Sequence, residues 1–529
     1  MALLGSCFRA VGALVVTASA LAAQAPATPP KCDIGDVMKG NTARATLNFG
    51  VAQQGTGTPV AATKLKEVVK LVEVPDKPTD EPVARAYVMG EALSLWLNQP
   101  GVPATAKRGD LGFTIDPQGT IDIVSAIDSV FRIVETAKPN CADNTAFYRG
   151  GHKYYLDVAN GAINALNADK LDSAEYYATQ ANRLYPGSPY GLMVLGSVAA
   201  KRKDNAKALE YWTKAADVAG RDTSYGDVRR QMLANAGSTY LNEAQTASGA
   251  QRTAAARKAA DLYAQLIVVP ATRGSYLYGG RQNYQTALLL AGDTAAFVKS
   301  YEGLIANPSA YEYQDLLNSA VNAARSSRNA DAVKLFEGTL ALNPFSRDAL
   351  FNLAVTYRAL EQNDKVSPIV TRLIAVDPGN PENYNLAASG YLALAKQAQT
   401  AKKTAIAAAY NDSTLTWYNR GSRLPIEVTF TEFSPSENQV VVGGTILDRR
   451  DKVDAEAAAT RPAKGKAAAK PAAKPPKAVT LRFEALDKSG TPIGSQTITT
   501  EPLSPGKSAN FSAKIAAPNA VAYRYTIVE

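Results

Sequence analysis

Residues 347–378, RDALFNLAVTYRALEQNDKVSPIVTRLIAVDP, decide how this chain is read. Their apolar positions Leu353-Ala354, Tyr357, Val366, Val370 and Leu373 run up to Pro378. Thirty-four residues earlier the same places hold Ser319-Ala320, Ala323, Ala332, Phe336, Thr339 and Pro344. Thirty-four later the first half returns as Ala387-Ala388 and Tyr391. Apolar residues three and four apart mark one face of a helix, and a fixed period of roughly 20–50 residues marks stacked supersecondary units. One helix pair cannot bury its own apolar face, so several must stack. Small residues such as Gly196, Ala208, Ala320 and Ala354 belong where two antiparallel helices cross. Large ones (Trp212, Phe336, Tyr357) fill the space between pairs, which makes Trp212 a core residue rather than a ligand platform.

Working outward, the clearest unit is Pro189–Gly220, with Leu192, Leu195-Gly196, Ala199, Ala208, Trp212 and Ala215 in the same slots. Ahead of it Gly161-Ala162, Ala165, Ala174, Ala178, Ala181 and Pro186 fit the frame. Behind it Leu233, Gly237 and Tyr240 begin a unit whose second helix (Ala259, Tyr263, Leu266) is delayed by about ten residues around Ala247–Gly249, an irregularity repeat arrays tolerate. A weaker unit spans Tyr276 to Pro308, then come Tyr313–Pro344 and Arg347–Pro378, and a last one starts at Glu382.

These slots resemble the tetratricopeptide repeat, the 34-residue helix–turn–helix unit. The resemblance implies a mainly α chain whose residues 141–422 form an α-solenoid, with its concave groove lined by the first helix of each pair. Transferred slot by slot, the groove positions are Tyr190, Met193, Ser197 and Lys201, then Leu317, Asn318, Val321 and Arg325, then Phe351, Asn352, Val355 and Arg358. Asn318 and Asn352 share one slot, where an amide can pair with a peptide backbone. The implied partner is a protein or peptide. The lysine-rich set with which some relatives grip a C-terminal carboxylate is not reproduced. These slots also suit ordinary exposed helix positions.

The flanks follow other rules. Residues 31–140 read as a helical cap, since Thr42–Val51, Ala61–Val74, Val83–Leu97 and Thr120–Ala137 each carry helical spacing, and terminal repeats are atypical. From Leu424 the period becomes alternating: Ile426, Val428 and Phe430 are set against Glu427, Thr429 and Thr431. Further β-type runs are Gln439–Leu447, Val479–Leu486, Ile493–Thr500, Ala509–Ile515 and Val521–Val528. Six short strands separated by turns suggest a small antiparallel β-sandwich over residues 424–529. Phe483-Glu484-Ala485-Leu486-Asp487 resembles the F-x-L-Y-D signature of small bacterial sandwich domains, departing at Ala485 and Leu486.

The formal charge of +9 is concentrated in one place. Ala457–Leu481 carries Arg461, Lys464, Lys466, Lys470, Lys474 and Lys477 with no acid, and setting these and Arg9 aside leaves +2. Pro462, Pro471, Pro475 and Pro476 break any long helix there, so residues 451–478 are expected to be an extended, disordered loop between the second and third strands. That loop is either a solvated spacer or a salt-sensitive contact to an anionic envelope surface. It lacks the aromatic interleaving that single-stranded nucleic acid calls for, so no nucleic-acid partner is expected.

Arg9, the apolar run Val11–Ala23 and Ala20-Leu21-Ala22 read as a signal peptide over residues 1–22, too short to span a bilayer as a helix. The alternative is an uncleaved anchor. Leu4-Gly5-Ser6-Cys7 has the letters of a lipoprotein box but precedes the apolar run. A bacterial periplasmic or secreted location follows, and there Cys32 and Cys141 pair as a disulfide or stay as two buried thiols. No catalytic residues, metal site or cofactor is expected. His152 is the single histidine, H-E-x-x-H and G-x-S-x-G are absent, Gly55-Thr56-Gly57 lacks a third glycine, and Gly506-Lys507-Ser508 precedes a strand. The expectation is a non-enzymatic, exported scaffold for protein–protein contacts. The alternative is a structural protein that docks to anionic membrane or cell-wall surfaces through its sandwich and basic loop.

Overall fold

The computed structural model describes Cys32, Leu47 and residues 62–74, 82–99, 102–150, 153–268, 275–436, 438–453 and 474–528. The leader, His152, Gly55-Thr56-Gly57, the basic tract between 454 and 473, and Thr42–Val51 apart from Leu47 lie outside those residues. The chain is mainly α, built of tetratricopeptide-like helical hairpins and ending in two small antiparallel sheets. It divides into two compact units. One runs to Ala247 and takes up Asp261 onward of a long helix; the other holds Ser248–Ala260 and everything from Tyr278 on.

In the first unit the cap is helical where the spacing predicts it: α1 Ala62–Glu73, α2 Pro82–Leu97 and α3 Ile123–Ala137. Helix α2 is buried on nearly every face, so apolar residues all round it, not a stripe, are what its site requires. Thr120–Asp122 is not the start of α3 but a strand, β2, paired antiparallel with β1 (Thr105–Lys107). Three-residue strands are too short to show alternation, which is why the pattern is silent there. Asp122 instead caps α3, accepting from the Ser125 N–H at 2.9 Å. Burial presses the Glu73 carboxyl upward, but donors from Thr114, Ile115 and Arg108 outweigh it and hold the group below its ordinary value. Cys32 and Cys141 are bonded, and Cys141 is fully buried in the cap's core.

The hairpins follow: α4 Ala142–Gly150, α5 Lys153–Asn167, α6 Leu171–Leu184, α7 Tyr190–Lys201, α8 Asn205–Ala219 and α9 Gly226–Thr246. Arg149 of α4 enters the cap's core, where Asp128 (3.2 Å) and Glu135 (2.8 Å) neutralise it and its guanidinium lies over Phe131. The crossing of α7 and α8 is as close as the small residues predict. A Cβ added to Gly196 would stand 2.5 Å from the Trp212 ring, with Ala208 sealed beside it. Gly196→Ala is therefore expected to cost about 1–3 kcal/mol through overpacking. Chemical denaturation against wild type measures it, and a cost below about 0.5 kcal/mol would show that the crossing relaxes freely.

The second unit contains part of α10 Gly249–Val268, then α11 Ser275–Ala291, α12 Thr294–Ala306, α13 Tyr313–Arg325, α14 Asn329–Leu342, α15 Arg347–Ala359, α16 Val366–Val376, α17 Pro381–Thr400 and α18 Thr404–Ser422. The delay seen around Ala247–Gly249 is absorbed as helix, since α9 and α10 are 21 and 20 residues long. The period is visible in the bonding. Arg281 pairs with Asp315 at 3.2 Å, and the Gln285 amide donates to the Ser319 hydroxyl at 2.9 Å, each across 34 residues between first helices. Between the helices of a pair the chain turns on a left-handed residue, and Asp169 and Lys203, like Ser327 and Glu361, repeat 34 apart without being glycine.

Six strands complete this unit: β3 Ile426–Pro435, β4 Gln439–Asp448, β5 Thr480–Leu486, β6 Pro492–Thr499, β7 Ser508–Ala516 and β8 Ala522–Val528. They form two three-stranded antiparallel sheets, β3-β4-β7 and β6-β5-β8. Val428, Val442, Ile446, Leu481, Phe483, Ile515 and Tyr525 fill their core. In the F-x-L-Y-D-like run, Phe483 is core and Asp487 organises the turn, accepting from the Ser489 and Thr491 N–H groups at 2.8 and 2.9 Å. Gly506 is a left-handed turn residue ahead of β7, as the sequence implies. At the described edges of the basic tract, Arg450–Val453 makes a helical turn and Lys477 bridges to Leu503.

Candidate peptide-binding surface

The second unit joins its last repeats to its sheets through one buried carboxylate. Asp377 follows α16, is fully buried, and accepts from the Arg347 Nε at 2.8 Å and the Tyr525 hydroxyl at 2.8 Å. The same hydroxyl accepts from the Gly379 N–H at 2.8 Å, and the Gly379 carbonyl accepts from the Val428 N–H at 2.9 Å. Gly379 is needed there because a Cβ would meet the Tyr525 oxygen at 2.8 Å and the Val428 side chain at 2.9 Å. Nearby, the Asn343 amide donates to the Val521 carbonyl at 2.8 Å. Burial opposes the charge of Arg347, but the adjacent Asp377 and Asp348 carboxylates win and raise its pKa. Burial drives the Tyr525 hydroxyl up, and Asp377 adds to the rise. The helical pairs and the sheets are thus tied at the turn that ends one repeat.

Beside this tie a cleft of about 490 Å³ opens. Tyr313, Gln314 and Leu317 of α13 line it with the first turn of α15, and β3 and the start of β8 form the opposite wall. Asp348, 34 residues after Gln314, extends the same slot into the next repeat. On the sheet side, β3 has a bulge between Phe430 and Glu432. An extra residue brings Phe430 and Phe433, three apart, onto one face, and both rings lie 5.1 Å from the Tyr523 ring. That spacing of three in an otherwise alternating run was the available sequence signal. Asp348, Glu432 and Tyr523 lie outside the groove slots that the repeat frame marks.

The groove positions separate by burial. On α7, Met193 and Ser197 are sealed inside, Ser197 donating to the Met193 carbonyl at 2.9 Å, so they offer a ligand no surface. Tyr190 is half-buried against Tyr225, and Lys201 is taken up by Asp169 at 2.8 Å. The second-unit slots are more open. Leu317 lines the cleft, Asn318 and Val321 are half-buried, and Arg325 is exposed. Phe351 and Asn352 are half-buried, Val355 is exposed, and Arg358 reaches Asn363. The paired amides sit differently: Asn318 accepts from Gln314 at 3.1 Å, whereas Asn352 donates to the Asp348 carbonyl at 2.8 Å. One therefore keeps donors for a backbone and the other an acceptor. Among the described residues no cluster of metal-ligating side chains forms, and no helix is long and apolar enough to cross a membrane.

No family model matches the chain, and no curated protein matches it. Its fold is similar to solved helical-repeat structures. A tetratricopeptide repeat protein from Parabacteroides merdae aligns over 49% of this chain and 98% of its own, at 14% identity and a TM-score of 0.28. The apo form of RapI aligns over 71% and 97%, at 8% identity and a TM-score of 0.28. The Cut9 and Hcn1 hetero-tetramer of the APC/C aligns over 75% and 78%, at 12% identity and a TM-score of 0.23. Scores this low give these likenesses no bearing on function.

Proposed function

We propose that this protein is an exported, non-enzymatic scaffold that holds a protein or peptide along the first helices of its second-unit repeats. The observation that carries the reading is the uncovered run Asn318, Val321, Arg325, Phe351, Asn352, Val355 and Arg358, half-buried to exposed on two helices one period apart. Preformed helices lose little ordering entropy on binding, so a modest apolar surface with oriented amides suffices. Export rests on the leader and on the Cys32–Cys141 pair, which suits an oxidising compartment. A photo-crosslinking residue at Val355 is expected to capture one partner from an envelope extract. Phe351→Ala with Asn352→Ala should reduce the yield about tenfold or more, the effect of losing one or two central contacts. Capture unchanged by that pair of substitutions would end the groove reading. Deleting 457–477 separates the anchoring alternative: capture should persist without the basic tract, and loss of all binding with the helices still folded would favour docking through the tract.

A further inference from the structure

Independently of the groove reading, we propose that the pocket where α16, α17 and α18 meet binds a small amphipathic carboxylate, an unbranched acyl chain lying along Ile374, Trp417 and Leu424 with its carboxylate on Arg420. The pocket measures about 480 Å³, within the range of small-molecule sites, roughly 300–1,000 Å³. Local spacing builds it. Thr371, Ile374 and Ala375 stand three and four apart on one face of α16, and Trp417, Arg420 and Leu424 continue one face through the end of α18. Tyr384 of α17, itself buried, completes the lining with its ring 6.2 Å from that of Trp417. Ile374, Trp417 and Leu424 are only half-buried, so apolar area remains for a ligand to cover. The main-chain N–H groups of the lining lie inside helices or, at Leu424, bond the Gly421 carbonyl at 3.3 Å. No row of backbone donors is left to hold a peptide, which favours a small molecule.

Charge decides the class of ligand. Arg420 is the one charged residue of the described lining. Its guanidinium lies over the Trp417 ring at 5.1 Å, and no hydrogen bond or ion pair to a described residue engages it. Burial raises the pKa of the Tyr384 hydroxyl, Arg420 pulls it back and Asp377 adds to the rise, so the positive field of Arg420 reaches the pocket. Asp377 itself is spent on Arg347 and the Tyr525 hydroxyl, at 2.8 Å each. The neighbouring cation Arg372 is taken up by the Pro344 carbonyl at 2.9 Å. Arg420 is thus a positive charge without a counter-charge, set beside an uncovered apolar surface. A guanidinium resting on an indole keeps its fork of N–H groups for a planar carboxylate, which it meets bidentately. One arginine balances one negative charge, so a carboxylate suits it better than a phosphate of nearly two.

The test titrates full-length protein with octanoate, octanol and octylammonium by calorimetry. Octanoate is expected to bind about tenfold or more tighter than octanol, the effect of one charge-assisted hydrogen bond, with octylammonium the weakest of the three. Each methylene removed from the acid should weaken binding by up to about fourfold. Arg420→Gln should abolish the preference for octanoate and leave octanol binding unchanged, and Arg420→Lys should restore only part of it, because lysine keeps the charge without the fork. Ala375 lines the pocket and is exposed, so Ala375→Glu supplies a second variant that leaves Arg420 in place. A carboxylate there should weaken octanoate binding about tenfold by repulsion and by pairing with Arg420, at an unchanged Tm. Equal affinity for octanoate and octanol, a preference that survives Arg420→Gln, or no octanoate binding at millimolar concentration overturns the proposal. An end-blocked tripeptide with a free C-terminal leucine that binds about tenfold tighter than octanoate would assign the pocket to a partner's chain end and overturn the small acid. Crosslinking at Val355 reads the groove separately, so either result can fail without the other.

Discussion

Asp377→Ala is expected to destabilise the unit that carries the sandwich by about 3–5 kcal/mol, the usual cost of removing one partner from a buried ion pair. The carboxylate is fully buried and serves several donors: Arg347 and the Tyr525 hydroxyl at 2.8 Å each, and the Asn380 amide at 3.3 Å. Without it the carboxylate left to Arg347 among the described residues is Asp348, whose side chain is 64% exposed and so screened by water. Tyr525→Phe should cost less, about 1–2 kcal/mol, because it strands one carboxylate oxygen and the Gly379 N–H without leaving a charge alone. Chemical denaturation of the two single variants and the double variant measures both the losses and their coupling. Residues in one hydrogen-bonded network should couple by about 0.5–3 kcal/mol. Strict additivity, or an Asp377→Ala loss below about 1 kcal/mol, would mean that the tie between the last repeats and the sheets is incidental. The same measurement bears on the cleft, since its two walls keep their spacing through this carboxylate.

The repeat frame was legible because its cause is local. Helices α13 and α15 begin 34 residues apart, at Tyr313 and Arg347, where the slots place them, and Gly196 meets Trp212 at the crossing the small residue announces. The six strands β3 to β8 were legible for the same reason, as local β-type runs, whereas the three-residue β1 and β2 carry no alternation to read. The cleft was not. Its walls are joined by Asn343 to Val521 and by Asp377 to Tyr525, pairs 178 and 148 residues apart, and a period of 34 carries no information about such contacts. The sealing of Met193 and Ser197 was hidden too. Helix α7 is apolar from Gly191 to Ala199 but for Ser197 and is buried along that whole run, and a slot transfer assumes an open face that such a run does not offer. The left-handed turn residues Asp169, Lys203, Ser327 and Glu361 carry no mark in the sequence, because they lack the glycine that usually signals such a turn.

Breaking the Cys32–Cys141 bond is expected to cost the first unit on the order of 4 to 5 kcal/mol, since it closes 109 residues and the loss acts through the unfolded chain. The choice of variant decides whether that account can be separated from packing. Cys141 is fully buried at the end of a short helical turn, Pro139–Cys141, so Cys141→Ala would add a cavity to the loss of the cross-link. Cys32 is only partly buried against the cap's core, so Cys32→Ala isolates the cross-link better. Equal losses from Cys32→Ala and from reduction of the wild type would assign the effect to loop closure, with Cys141→Ala costing about 1 kcal/mol more for its cavity. Hydrogen exchange over α2 and α3, where Leu93 and Phe131 are sealed, localises the change to the cap. A midpoint that does not move on reduction would mean that the cap holds without its staple. A stapled cap would also tie stability to compartment: the stabilisation exists only where the thiols stay oxidised, so the folded population should fall under a cytosolic glutathione poise.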